Sequence, residues 1–311
     1  MLRSATAIAL CGATWLVAGR AEAVTFNYTD TAGISQTLAQ FNLDAVANPN
    51  TGASYVLYQD NAKLRTSGGK STIATGDVGI GANSSQTGAF TVQGNLDVAT
   101  GGSVSGQAAT SGAINTGLNL TAATTAVNNV ATALTLLPFD QTVAGNVGTI
   151  YRATQFNAVK ITGSLTTSLT LSGRASDWFL VYLQGSQASQ AITLTGGLIA
   201  ERVLVYVGGS VGGTPTDGGS AIRTANGTAL QGTYLVAPTT ANGRFNSSVT
   251  LDAASASGAV YSTSSAEMAF VNGAQIVRHS FSGITLAAVP EPASFALLAV
   301  GLAGLAARRR R

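Results

Sequence analysis

KITGSLTTSLTLSGRASDWFLVYLQGSQASQAITLTGG, residues 160–197, is the stretch that decides the fold. Lys160-Ile161-Thr162-Gly163-Ser164-Leu165, Ser168-Leu169-Thr170-Leu171-Ser172-Gly173 and Ala191-Ile192-Thr193-Leu194-Thr195-Gly196-Gly197 alternate apolar with small polar residues. A period of two puts every second side chain on one face of a strand, and each run closes on a glycine turn. Glycines at 163, 173, 185, 196 and 209 follow one another at steps of 10 to 13 residues. Trp178-Phe179-Leu180-Val181-Tyr182-Leu183 and Val203-Leu204-Val205-Tyr206-Val207 are instead apolar almost throughout, the composition of strands covered on both faces.

The alternation extends outward, to Thr91-Val92-Gln93-Gly94-Asn95-Leu96-Asp97-Val98 among others. An apolar residue, any residue, Gly, a small polar residue and then Leu or Val recurs at 92–96, 143–147, 161–165 and 207–211. Short strands with a glycine at each corner predict a mainly β fold, a parallel β-solenoid whose coils stack over a continuous interior. Strands at this spacing also suit a β-sandwich, which stands as the alternative.

One segment breaks the β pattern. Over residues 120–137, Ala123, Ala126, Val127, Val130, Leu134 and Leu137 share a face at helical spacing, with Thr121 as N-cap and Pro138 as stop. The reading is one amphipathic helix of about four turns lying on the β body.

The two ends read differently from the body. Residues 1–23 hold Arg3, an apolar stretch and Ala21-Glu22-Ala23, a secretory signal peptide with an A-x-A cleavage site at Ala21 and Ala23. Cys11, the one cysteine, lies inside it, so the body that remains has no disulfide and depends on its core. The other end, residues 289–311, reads VPEPASFALLAVGLAGLAARRRR. Its apolar run of 15 residues, 293–307, is shorter than the roughly 20 that cross a bilayer core, and Arg308, Arg309, Arg310 and Arg311 hold its end on the cytoplasmic side. Pro290, Glu291 and Pro292 form an extended tripeptide, because each proline removes a backbone donor and restricts its neighbour. The domain reading is therefore 1–23 signal peptide, 24–288 body, and 289–311 a short membrane segment with a basic tail.

Without its ends the chain is near neutral, with 10 basic and 11 acidic residues left of the 16 and 13 in the whole sequence. The pI of about 9.2 comes from the ends and is no argument for a nucleic-acid partner.

The tripeptide, the apolar run and the four arginines resemble the PEP-CTERM sorting signal of exported bacterial proteins. The resemblance implies a transient inner-membrane anchor, processing by signal peptidase and an exosortase, and delivery to the cell surface or extracellular matrix. The alternative is an ordinary C-terminal anchor. Gly76-Asp77-Val78-Gly79-Ile80-Gly81, the Ala/Thr helix, residues 192–197 and Leu230-Gln231-Gly232-Thr233-Tyr234-Leu235-Val236-Ala237 come in an order that resembles two further groups. These are the ice-binding-protein-like family, which implies a right-handed β-solenoid with a helix packed alongside, and the choice-of-anchor A group of surface proteins.

Enzyme-like strings lack their context. Gly208-Gly209-Ser210-Val211-Gly212 matches a nucleophile elbow, with Asp252 and His279 following, but the helix required after the serine is replaced by Gly212-Gly213-Thr214-Pro215. Gly68-Gly69-Lys70-Ser71-Thr72 resembles a phosphate loop, yet Leu64 stands where its first glycine belongs. Asp77, Asp97, Asp177 and Asp252 sit apart in sequence and read as surface turn residues, so neither a metal site nor a cofactor site is expected. The expected function is a non-enzymatic structural or binding role at the cell surface or in the matrix. An ice-binding or flat-surface adhesin, with Thr166, Thr170, Thr193 and Thr195 in rows, is the first alternative. An enzyme acting on polysaccharide is the second. Extracellular polysaccharide or ice is the corresponding partner, and nucleic acid is not.

Overall fold

The computed structural model describes residues 27–29, 35–37, 41–67, 72–106, 108–209, 220–224, 228–239, 247–252, 254–278 and 281. All belong to the unit 26–284; the unit formed by 1–25 and 285–311, and with it both end signals, lies outside the described residues.

An antiparallel pair, β1 (Asn27–Thr29) and β2 (Ser35–Thr37), comes first. The chain then winds through β3 (Tyr55–Gln59), β4 (Lys63–Ser67), β5 (Thr72–Thr75), β6 (Asp77–Ile80), β7 (Ser85–Thr87), β8 (Phe90–Gln93), β9 (Leu96–Ala99), β10 (Ser103–Val104), β11 (Ala108–Thr110) and β12 (Ile114–Leu118). Helix α1 (Thr121–Thr135) follows. Winding resumes with β13 (Gln141–Ala144), β14 (Thr149–Tyr151), β15 (Phe156–Thr162), β16 (Leu169–Ser172), β17 (Trp178–Leu183), β18 (Gln187–Ala188) and β19 (Ile192–Thr195). It ends with β20 (Val203–Val207), β21 (Ser220–Arg223), β22 (Ala229–Val236), β23 (Ser248–Asp252), β24 (Ser255–Ser262), β25 (Met268–Val271) and β26 (Gln275–Arg278).

From β3 onward every strand pairing is parallel, and the pairs form three ladders, here faces A, B and C. Face A stacks β13, β15, β17, β20, β22, β24, β3, β6, β9 and β12. Face B stacks β14, β16, β19, β22, β24, β26, β5, β8 and β11, and face C stacks β18, β21, β23, β25, β4, β7 and β10. Among the described residues this is a parallel β-solenoid of about nine turns with one α-helix, and it replaces the sandwich alternative, whose sheets would be antiparallel.

The stacking order departs from the chain order. The last coil, β24 to β26, lies on the first, β3 to β5, so the two extremes of the body meet in the middle of the stack. Winding runs outward to β12, and the chain must then return to the far end before β13 can pair with β15. Helix α1 makes about half of that return. Its 15 residues span roughly 22 Å, the height of four to five coils at about 4.8 Å each. Thr124 near its start bonds Tyr58 of β3 at 2.7 Å, while further contacts reach β22 and β17.

One inward file of face A runs Gln141, Val159, Val181, Val205, Tyr234, Val260, Leu57, Val78, Leu96 and Ile114, one residue per coil. The neighbouring outward file carries Tyr182, Tyr206, Leu235, Tyr261 and Tyr58, which explains the continuously apolar strands: their second side lies under α1 and its flanking segments. Past α1, Phe139 packs on Tyr182 at 6.1 Å between ring centroids. Buried on α1 are Ala123, Val127, Val130, Ala131, Ala133 and Leu134, whereas Ala126 is only half-buried. The cap differs from expectation. Leu120, not Thr121, is the N-cap and makes no side-chain capping bond, while Asn119 Oδ1 accepts the Thr121 N–H at 3.1 Å. The helix stops at Thr135, before Leu137 and Pro138, because Leu136 N–H turns back to the Ala133 carbonyl.

The glycine steps resolve into stacked corners. Gly163, Gly185 and Gly209 sit above one another, with Gly185 N–H donating to the Gly163 carbonyl and Gly209 N–H to that of Gly185, each at 3.0 Å. Gly173 and Gly196 stack likewise at another corner.

Buried polar groups are held by specific partners. Tyr55 OH donates to Asp97 Oδ2 at 2.8 Å and Tyr58 OH contacts Thr124, while Tyr234 OH donates to the Gln231 carbonyl at 3.2 Å. Burial raises all three phenols above their ordinary value of 10.0, and the Asp97 carboxylate raises Tyr55 further. A folded-state pKa above the unfolded value means stability that is complete below about pH 10 and lost as pH rises past it. In an alkaline titration, phenolate absorbance from these tyrosines should therefore appear together with the loss of far-ultraviolet circular dichroism. Ionisation of all eight tyrosines with the dichroism intact would contradict this burial.

Candidate binding face

Among the described residues no α-helix lies over face B, and its outward positions form files. Thr149, Thr170 and Thr193 are in register, Gln231 comes next, and Ser257, Val277, Thr75 and Gln93 continue the line. Thr170 and Thr193 hydroxyls are 3.3 Å apart, Thr75 Oγ1 donates to Gln93 Oε1 at 3.1 Å, and Gln231 Oε1 accepts Leu194 N–H at 2.6 Å. A second file carries Tyr151, Ser172 and Thr195, with Tyr151 70% exposed. The side chains on the inner side, Leu169, Ile192, Leu230, Ala256, Ile276, Ala74 and Val92, are buried and fix the outward set by alternation.

Apart from Arg278, which ends β26, the nine strands of this face contain no charged residue. Hydroxyls and amides thus repeat at about 4.8 Å across the strands and about 6.7 Å along them, interspersed with methyl groups. Such a surface can donate and accept hydrogen bonds at regular intervals without desolvating a charge.

Of the four threonines expected in rows, Thr170, Thr193 and Thr195 lie on this face. Thr166 does not: it sits in the turn before β16, its N–H donating to the Gly145 carbonyl at 2.9 Å. Thr149, Gln231, Ser257, Thr75 and Gln93 were missed, because only their alternation within short strands marks them and register across coils is not a local property.

The aspartates also differ from expectation. Asp77, Asp97 and Asp177 are buried rather than exposed in turns. Asp77 accepts from Asn48 Nδ2 and from Asn95 N at 2.8 Å each, Asp97 from Asn115 Nδ2 at 2.7 Å, and Asp177 pairs with Arg152 Nε at 2.7 Å. Each acid stitches segments together, so none is a free ligand or base. Asp252 lies on face C, bonded by Asn272 Nδ2 at 2.7 Å. Ser210, His279 and residues 68–71 lie outside the described residues. Beside Asp60 is a concavity of about 560 Å³ in which Asp60 is the one acid among the described lining residues. Its carboxylate already accepts from Asn61 N, Asn83 N and Thr124 Oγ1. Among the described residues no group of three or more His, Cys, Asp or Glu comes together, and no helix is long and apolar enough to cross a membrane.

Sequence comparison assigns the C-terminal end. Residues 288–311 match the PEP-CTERM protein-sorting motif. The chain carries a PEP-CTERM sorting signal. That signal marks an exported protein sorted through its C-terminus and is a substrate signal for exosortase processing. Pro290, Glu291, Pro292 and Arg308, Arg309, Arg310 and Arg311 fall inside the match; they, and Ala21 and Ala23 where a cleavage site is expected, lie outside the described residues. No curated protein matches the sequence. Among solved structures, the chain is similar to an ice-binding protein from the Antarctic ascomycete Antarctomyces psychrotrophicus, at 18% identity and TM-score 0.49, covering 78% of this chain and 99% of that one. It is also similar to an ice-binding protein from an Antarctic biological consortium (15%, 0.47, covering 76% and 90%) and to one from an Arctic yeast (16%, 0.47, covering 81% and 97%).

Proposed function

We propose that this PEP-CTERM protein is a non-enzymatic component of the cell surface or extracellular matrix, and that face B is the surface with which it binds an uncharged, ordered partner such as extracellular polysaccharide. The observation that carries the reading is the file of hydroxyl and amide side chains in register on seven of the nine strands of face B, interrupted at Val277 and with no helix over it among the described residues. A second reading, binding to ice, is favoured by the run Thr149, Thr170 and Thr193, although Gln231, Val277 and Gln93 interrupt its uniformity. The likeness to the choice-of-anchor A group accords with a surface role and rests on sequence pattern.

Replacing Thr170 and Thr193 together by Arg places two bulky charges in the threonine run near the β14 end of the face without touching the core. Co-sedimentation with insoluble neutral polysaccharide should fall at least about tenfold for this variant, which corresponds to about 1.4 kcal/mol. Thermal hysteresis, if it is present in the wild type and lost in the variant, selects ice instead. A variant that binds as the wild type does, or a wild type that binds neither partner, would remove face B from consideration.

Processing and the absence of covalent chemistry are tested by one intact-mass measurement of the exported protein. The mass should correspond to a chain that begins at Val24 and lacks the four terminal arginines, and incubation with a fluorophosphonate should leave it unchanged. A surface form still carrying Arg311, or stoichiometric labelling at Ser210, would contradict the respective reading.

A further inference from the structure

The corner between faces A and C changes character along the stack. Its turns at Asp60-Asn61, Ala82-Asn83 and Thr100-Gly101 follow β3, β6 and β9 and lie on successive coils. Side chains tie the first two. Asn61, in the left-handed region at φ 71°, donates through Nδ2 to the Thr263 carbonyl at 3.1 Å, and Asn83 Nδ2 donates to Asn61 Oδ1 at 3.2 Å. The next coil does not continue this ladder, because Gly101 and Gly102 follow Thr100 there. A Cβ would lie 2.9 Å from the Ala82 carbonyl oxygen at Gly101 and 2.7 Å from that of Gly81 at Gly102.

Where the ladder stops there is a hollow of about 560 Å³ beside the start of α1, inside the range of roughly 300–1,000 Å³ of small-molecule sites. Asp60, 5% exposed, lines it. Its carboxylate accepts from Asn61 N at 2.9 Å, Asn83 N at 3.2 Å and Thr124 Oγ1 at 2.6 Å, and a carboxylate has about four lone-pair sites, so one acceptor site remains. Asn83, Asn119, Thr100 and Thr121 line the hollow as well. Among the described residues, Asn83 Oδ1, Asn119 Nδ2 and the two threonine hydroxyls have no hydrogen-bond partner. Ala82, Ala99 and Leu118 add apolar surface.

This lining narrows the ligand chemistry. It contains no basic residue to hold an anion, and its one acid is already engaged by three donors, too few free oxygens for a multivalent cation. It offers amide donors, amide and carboxylate acceptors, and small apolar patches within one enclosure. A sugar ring matches that set, because each hydroxyl both donates and accepts while the ring carbons are apolar. We propose that the hollow binds one neutral pyranose unit, from a free sugar or the end of a glycan chain, with its hydroxyls on Asp60, Asn83 and Asn119 and its ring carbons against Ala82, Ala99 and Leu118. The site is separate from face B and does not depend on the reading of that face.

Nuclear magnetic resonance titration of the exported protein with the methyl glycosides of glucose, galactose, mannose and N-acetylglucosamine tests this. At least one glycoside should shift the side-chain amide signals of Asn83 and Asn119 saturably. The matching linear oligosaccharide should shift the same signals where the site takes a chain end, and leave them unmoved where it takes a free sugar. Thr100→Trp fills the hollow from an exposed position, and Asn83→Ala removes an amide but keeps the backbone N–H that Asp60 accepts. Each should weaken binding about tenfold or more without changing the thermal midpoint. Thr100→Trp removes no hydrogen bond, so it carries the test even where Asn83→Ala melts early. The Thr170→Arg, Thr193→Arg double variant should bind the glycoside as the wild type does, which keeps failure of this site distinct from failure of face B. The proposal is overturned when none of the four glycosides shifts Asn83 and Asn119, which leaves the hollow to solvent, or when Thr100→Trp binds sugar like the wild type. A saturable response to calcium chloride in place of the sugars overturns it too, since the hollow would then be a cation site.

Discussion

Leu134→Asp should lower the thermal midpoint by roughly 10–15 °C, the shift expected from about 4 kcal/mol in a domain of this size. Leu134 is 0% exposed on the underside of α1, between the helix and the outer side of face A. A carboxylate there loses its hydration, and α1 itself carries no basic residue to pair with it. The lost leucine also leaves a cavity between two surfaces that meet through apolar side chains. Thr125→Asp, on the exposed side of the same helix, is the matched control and should shift the midpoint by no more than about 1–2 °C. Differential scanning calorimetry of the pair decides the matter. Equal small shifts would mean that α1 does not contribute to the stability of the stack.

Gly185→Val should be nearly as damaging, at about 3 kcal/mol or roughly 6–12 °C. The cause is steric. A Cβ at Gly185 would lie 2.1 Å from Ser164 N and 2.2 Å from the Gly163 carbonyl carbon, which are backbone atoms of the coil beneath and cannot swing aside. The coils would have to part at this corner, stretching the bond from Gly185 N–H to the Gly163 carbonyl. Gly148→Ala provides the control, because a Cβ there meets nothing within 4 Å. Urea denaturation of both variants should show a lower midpoint for Gly185→Val alone. Equal midpoints would show that close contact between stacked glycines is not what sets the corner.

The contrast between these two sites marks the boundary of what local sequence contains. Alternation of Leu169, Leu171, Ile192 and Leu194 with small polar residues is a property of adjacent residues, and it determined that these segments are strands with one side inward. The spacing of Gly163, Gly185 and Gly209 marked corners for the same reason, since close stacking admits no side chain. The apolar face of α1 was legible from a period of 3.6, and the C-terminal signal from a contiguous string. Each of these signals lies within one turn, one strand or one motif.

Only the tertiary structure decided which coil lies on which. Nothing near Val260 or Ile276 announces that they stack on Leu57 and Ala74, some two hundred residues earlier in the chain. Backbone hydrogen bonds carry no residue identity, so the order of coils depends on the combined fit of whole files and on the helix that returns the chain. The same holds for Asp77 and Asp97, whose partners Asn95 and Asn115 are each 18 residues away and become neighbours only when the coils stack. The candidate face is a product of that registry as well: Thr170 was visible as an outward residue of its own strand, but the line from Thr149 to Gln93 exists only because parallel stacking keeps each residue above its counterpart.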